Sequence, residues 1–165
     1  MNIGGSISGA AFNDESHRFR YALWRIWDKE KDALLFIGLN SSTATDRQDD
    51  PTIRRVASFA VSWGFGGLFV GNLFSIVSPD PSVIKLDEPL ESPNDAAIRC
   101  MRGICGAALV GWGHFGKDAG PRPAEVLAIL GKPVYCLGLT KDGWPKHPLY
   151  VLADTQMKLY ERGTK

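Results

Sequence analysis

Four short stretches of this chain are almost wholly apolar: residues 34–39, 68–74, 107–113 and 134–139. Runs of that length fit strands buried on both faces and are too short for helices. The first breaks at Gly38 into the polar turn Asn40-Ser41-Ser42-Thr43, the second is interrupted at Asn72, and the third ends in a glycine turn carrying His114. Between the runs, apolar residues recur at helical spacing. Ile53, Val56, Ala57, Ala60 and Val61 share one face of a helix expected from Pro51 to about Trp63, opened by Asp50-Pro51 and closed by Gly64. Further helices are expected from Pro93 to about Ile104, from Pro123 to Leu130 with Gly131 as terminator, and over about 152–161. Arg20 to Trp27 is aromatic-rich and suits a strand. The polar reversal Asp28 to Asp32 makes it a β-hairpin feeding the strand at 34–39. Residues 1 to about 17, rich in Gly, Ser and Asn, read as a flexible lead-in, and 18–165 as one domain. Ser78 to Ser92, with Pro79, Pro81 and Pro89, reads as loop with a short helical turn near Val83 to Leu86.

This order predicts an α/β fold: a three-layer α/β/α sandwich around a central four-stranded, mostly parallel sheet with right-handed crossovers, preceded by the hairpin strand. At 165 residues the chain can build one sizeable core. Its 44% apolar and 22% charged residues are ordinary for a globular protein, and a net charge of +1 confines any nucleic-acid surface to a local cluster. No window approaches the ~18 consecutive apolar residues of a membrane span, so no membrane partner is expected. The start of the chain lacks a basic segment followed by an apolar core, which argues against a secretory signal. Cys100, Cys105 and Cys136 are odd in number and lack CxxC spacing; they read as reduced core thiols of a cytoplasmic protein rather than metal ligands. Asp46, Asp49 and Asp50 do not make a metal site, since Asp50 explains itself as a helix cap. No metal and no cofactor is expected.

Candidate chemistry gathers where the apolar runs end. Open α/β sheets bind ligands at the carboxyl edge, and Asn40, Asn72, His114 and His147 each fall at or just beyond an expected strand end. Plain structural readings stand beside this. Asn40 can satisfy backbone groups in a turn, His114 can be a loop residue, and Arg54 and Arg55 can be solvated helix residues. Trp24, Trp27 and Trp63 read as packing, and Trp144 fits either role.

Taken together, Gly38-Leu39-Asn40-Ser41, Asn72, Leu109-Val110-Gly111-Trp112-Gly113-His114 and Lys146-His147-Pro148-Leu149 resemble the motifs of the uracil-DNA glycosylase superfamily. Residues 20–160 also resemble a bacterial and phage family of unknown function patterned Gly-Leu-Asn-Pro-Ser-x-Ala, Asp-Pro-Thr-x-Arg-Arg, Asn-Leu-Phe, Trp-Gly and His-Pro-Leu. Ser41 stands where both usually carry Pro, which removes a fixed φ from that turn. The resemblance implies a uracil-DNA glycosylase-like fold and DNA, double- or single-stranded, as partner. It implies a catalytic centre of Asn40 and His147. Asn72, with Gly38, Ser41, Trp112, His114 and Phe74, would surround a flipped base, Phe74 or Trp112 stacking on it. Arg54, Arg55, Lys141 and Lys146 would contact phosphates, with Leu149 or Tyr150 as the inserting wedge.

Cleaving an N-glycosidic bond places positive charge on the sugar and negative charge on the departing base. Asn40 can orient a water but has no basic form to take its proton; Asp46 is a candidate base to assist. His147 would donate to the leaving base, and Asn72, both donor and acceptor, can read a Watson–Crick edge. No lysine in the core motifs offers a Schiff-base nucleophile, so hydrolysis without lyase activity is expected. Which base is excised stays open; the resemblance points to a modified or damaged one, such as uracil or a phage-modified pyrimidine like glucosylated 5-hydroxymethylcytosine, in repair or phage defence. The rivals are a non-catalytic nucleotide- or DNA-binding module, and an N-glycosidase or transferase acting on free nucleotides.

Overall fold

The computed structural model describes residues 7–13, 16–42, 44–45, 48–78, 80 and 92–161. In chain order the strands and α-helices are β1 (Ile7–Phe12), β2 (Arg20–Ile26), β3 (Ala33–Ser41), α1 (Pro51–Ser62), β4 (Gly67–Val77), α2 (Pro93–Ile104), β5 (Ala107–Val110), α3 (Arg122–Leu130), β6 (Tyr135–Cys136) and β7 (Lys158–Leu159). Short 3-10 turns lie at Gly113–Asp118 and Pro148–Tyr150.

Helix starts follow their capping chemistry. The Asp50 carboxylate accepts from Ile53 N at 2.7 Å with Pro51 in the first turn, and Ser92 accepts from Asp95 N at 3.3 Å ahead of Pro93. Gly64, at φ 85°, takes the left-handed conformation that ends α1.

The fold is mixed α/β, with one seven-stranded sheet in the order β1-β2-β4-β3-β5-β6-β7. The four apolar runs are its central, mutually parallel strands β4-β3-β5-β6. In β3 the side chains alternate between two cores. Leu34 and Phe36 pack with Ile53, Val56 and Phe59 of α1, while Leu35 and Ile37 pack with Ile98 and Met101 of α2 and Val126 and Leu130 of α3. Helices therefore cover both faces, which is why the central strands are apolar throughout rather than alternating.

Several expectations are corrected. Three further strands enlarge the sheet from four to seven. Ile7–Phe12, expected as lead-in, is an edge strand antiparallel to β2; Gly9 is required there because a Cβ would fall 2.2 Å from the Trp24 ring. β2 and β3 are not a hairpin, because β4 lies between them and β2 pairs antiparallel with β4. The strand of the fourth apolar run, β6, is shorter than 134–139, only Tyr135–Cys136. Residues 152–161 form no helix: Leu152 is exposed, and the segment instead pairs through β7 with β6, Tyr160 N donating to Val134 O at 2.8 Å. Cys105 and Cys136 are buried free thiols, burial pushing Cys105 up to about 12, whereas Cys100 is exposed. The expected turn at Val83 to Leu86 lies outside the described residues. No helix among the described residues is long and apolar enough to cross a membrane.

Candidate functional site

At the carboxyl ends of the parallel strands lies a cleft of about 570 Å³. Asn40 from β3, Asn72 from β4, His114 after β5 and His147 after β6 all line it, as do Gly38, Trp112, Lys146 and Tyr150. The topology thus brings together residues about a hundred positions apart.

Asn40 is aimed by the sheet. The β3–β4 ladder runs in register to Asn40↔Phe74 and then slips to Ser41↔Val77, leaving two extra residues on β4. Such irregularities re-aim side chains beside sites. Asn40 Nδ2 donates to Ser78 O at 2.7 Å and to Ser41 O at 3.3 Å, so its nitrogen is anchored to main chain. Oδ1 makes no hydrogen bond to a described residue.

Ser41 is fully buried, with Oγ 3.1 Å from the Arg20 carbonyl and 3.0 Å from the Asn72 carboxamide. Its single hydroxyl proton ties the strand end to one of these acceptors at a time. Asn72 is also buried. The amide orientation that suits its surroundings has the nitrogen donating to Gly71 O and Asn40 O and the oxygen accepting from Ser41 Oγ. Its carboxamide is therefore spent within the sheet, which makes Asn72 a brace for Asn40 more than a reader of a ligand edge. Gly38 permits this approach: a Cβ there would lie 2.8 Å from the Asn72 carboxamide, at the position its nitrogen takes in that orientation.

His147 is held by its loop. Gly113, at φ 72°, turns the chain after β5 and donates to Pro145 O at 2.8 Å, and Lys146 N donates to Gly138 O at 2.9 Å. His147 Nδ1 accepts from Leu149 N at 3.3 Å. That bond leaves the proton of the neutral imidazole on Nε2, so His147 offers a donor. Burial pushes its pKa below the ordinary 6.5, with the Asp50 carboxylate opposing. The imidazole is neutral at pH 7.

Other expected site residues fall differently. Phe74 is buried in the core beneath the helices and does not line the cleft. Trp112 lines it but is 1% exposed, more wall than stacking platform. Arg55 donates to Val151 O at 2.6 Å and lies over the Phe59 ring, which ties it to the fold rather than leaving it for phosphate. Arg54 is exposed and donates to Asp49 O at 2.6 Å; it and Lys141 stand away from the cleft lining. Leu149 and Tyr150 are exposed beside the cleft. Trp144 is buried in the core. Asp46 lies outside the described residues. Among the described residues no cluster of three or more His, Cys, Asp or Glu could hold a metal.

Among the cleft residues that escaped the sequence reading are Phe36, Arg20 and Asp50. Phe36 forms the floor, flanked by Gly38 and Gly111. Arg20 is 2% exposed, and its Nη1 donates to Ser42 O at 3.2 Å and to Ala44 O. Burial lowers its pKa to about 10, and no described carboxylate forms an ion pair with it. Asp50 also lines the cleft, and Ser42 Oγ donates to its Oδ2. Behind β4, Asn94 donates to the Asn72 and Leu73 carbonyls at 3.1 and 3.3 Å, and Arg122 to Leu73 O at 2.8 Å and to Asp95. An arginine opening an aromatic-rich strand, as Arg20 does, was a signal the sequence offered.

The fold and site define an α/β domain with a ligand-sized cleft at the carboxyl edge of its parallel strands. Residues 20–149 match the family described as "Protein of unknown function (DUF1643)", and the chain belongs to that family. Searches of curated proteins and of solved structures found no significant match.

Proposed function

We propose that this protein is a monofunctional DNA glycosylase with a uracil-DNA glycosylase-like three-layer fold, hydrolysing the bond between deoxyribose and a flipped-out modified or damaged base. One observation carries the reading: Asn40 Oδ1 and His147 Nε2–H, each left available by a main-chain bond to its neighbouring atom, line one cleft. Asn40 holds the water below the sugar. His147, neutral, donates to the base oxygen as negative charge gathers there; a comparable preorganised donor is worth ~2.7–4 kcal/mol. A cleft of about 570 Å³ accommodates a single extruded nucleoside. Flipping costs a few kcal/mol, which Leu149 and Tyr150, exposed at the rim, offset by filling the vacated stack. Lys146 at the mouth meets a flanking phosphate. It is exposed, without the desolvation that activates a Schiff-base lysine, in keeping with hydrolysis.

The test is incubation with oligonucleotides carrying uracil, 5-hydroxymethylcytosine or its glucosylated form, single- and double-stranded, followed by alkali. Alkali-labile sites on one substrate, lost in Asn40→Ala with DNA affinity kept, are the expected result; no cleavage on any refutes the proposal. The second reading, a glycosidase on free nucleotides, is favoured by the net charge of +1 and the buried cation Arg20 inside the cleft. Its binding would respond weakly to salt, whereas duplex binding falls steeply.

A further inference from the structure

The hydrolysis has a proton to place. Asn40 cannot accept one. The Nδ1 lone pair of His147 is occupied by Leu149 N–H, and Arg20 and Lys146 are cations. His114 sits exposed at the mouth against the Phe115 ring, centroids 4.1 Å apart. Asp50 is the single carboxylate among the described residues lining the cleft.

We propose that Asp50, besides capping α1, takes the proton of the attacking water and faces the positive charge on the sugar; this rests on the glycosylase reading above. The carboxylate has capacity for both tasks. Oδ1 accepts from Ile53 N at 2.7 Å and Oδ2 from Ser42 Oγ, and each oxygen keeps a second lone pair. Ser42 follows Asn40 by two residues, so its hydroxyl draws the carboxylate to the water-holding end of β3. In the step, the C1′–N bond breaks and its electron pair leaves with the base, held by His147 Nε2–H. The water oxygen bonds to C1′, and one water O–H bond yields its proton to Asp50. Asp50 then releases that proton to solvent, and the base anion takes one from solvent. Ser42 and Ala44 are held by Arg20 through their carbonyls, and Thr45 and Asp49 by Arg25, which pairs with Asp49 at 2.8 Å and donates to Thr45 O at 2.7 Å.

Asp50→Asn and Asp50→Ser separate the two roles, because Asn and Ser cap helices about as well as Asp but neither accepts the proton. Single-turnover base release is measured on the oligonucleotide that wild type cleaves, beside the DNA dissociation constant and the melting temperature. Expected are melting and binding like wild type and base release slower by about 100- to 10,000-fold, the range of a positioned base. Folded variants of either kind releasing base within about threefold of wild type overturn the assignment of Asp50 while leaving the glycosylase reading intact. Wild type inert on every oligonucleotide overturns both.

Discussion

Replacing Arg122 by methionine removes a guanidinium that is 3% exposed and leaves the Asp95 carboxylate, 2% exposed, buried without it. The cost separates by partner. Leu73 O loses the bond from Arg122 Nε but keeps Asn94 Nδ2 at 3.3 Å, so that carbonyl is not orphaned. Glu125, 3.4 Å from Nη1 and a quarter exposed, contributes at most about 1 kcal/mol. Asp95 dominates, because breaking a buried pair from one side costs about 3–5 kcal/mol. With methionine filling most of the vacated volume, the expected loss is about 4 kcal/mol. At a urea slope of about 2 kcal/mol/M, that lowers the unfolding midpoint by about 2 M. Equilibrium unfolding followed by tryptophan fluorescence measures it. Adding Asp95→Asn removes the stranded charge and recovers about half the loss. A midpoint shift below about 0.5 M in the single variant, or no recovery in the double one, refutes the argument that the network is held by a buried charge pair.

Acidification tests His147. Its folded-state pKa lies below the ordinary 6.5, so between those values the unfolded chain binds more protons and stability falls as pH drops; above about 6.5 the effect is absent. Urea midpoints at pH 7.5 and 5.5 should decline less in His147→Gln than in wild type, and equal declines would remove His147 as the cause. Gly38→Ala pushes a Cβ to within 2.8 Å of the Asn72 carboxamide, and an overpacked core site of this kind costs about 1–3 kcal/mol; a melting temperature unchanged from wild type contradicts the bracing role of Asn72. Arg20→Met releases Ser42 O and Ala44 O. Hydrogen bonds to a charged group are worth about 1.5–3 kcal/mol, so destabilisation near the low end of that range is expected in urea, removal of a buried cation offsetting the rest; a stabilised variant would show that burying the charge outweighs its bonds.

The central strands were legible because burial on both faces leaves continuous apolar runs, and β3, β4 and β5 begin within two residues of where those runs start. The edges were not. β1 reads Ile-Ser-Gly-Ala-Ala-Phe, whose small residues match a loop in composition, and the glycine that looks like a turn signal is there to pass the Trp24 ring. β7 is two exposed residues long, held by backbone pairing that no side-chain pattern reports. Asp50 shows a different limit. Its place before Pro51 accounts for one carboxylate oxygen, and a complete account of that atom concealed the residue's second contact, with Ser42, and its place in the cleft lining.

The positions of Asn40 and His147 are set by main chain. Asn40 Nδ2 is tied to a carbonyl at the end of β4, and His147 Nδ1 to an amide of its own 3-10 turn. Orientation therefore derives from where strands stop and turns begin, elements already paid for by the core. Substituting either side chain removes only bonds to backbone that water can replace at a half-exposed site, so stability should change little while a preorganised dipole is lost. Asn72, Ser41 and Gly38 behave oppositely: they are buried, Ser41 and Gly38 each meet the Asn72 carboxamide, and changing any of them moves the strand end that aims Asn40. The cleft thus divides into groups whose loss is felt in the chemistry and groups whose loss is felt in the fold. A substitution at Asn40 that melts the protein, or one at Ser41 that spares it, would reverse that division and with it the claim that the sheet positions the site.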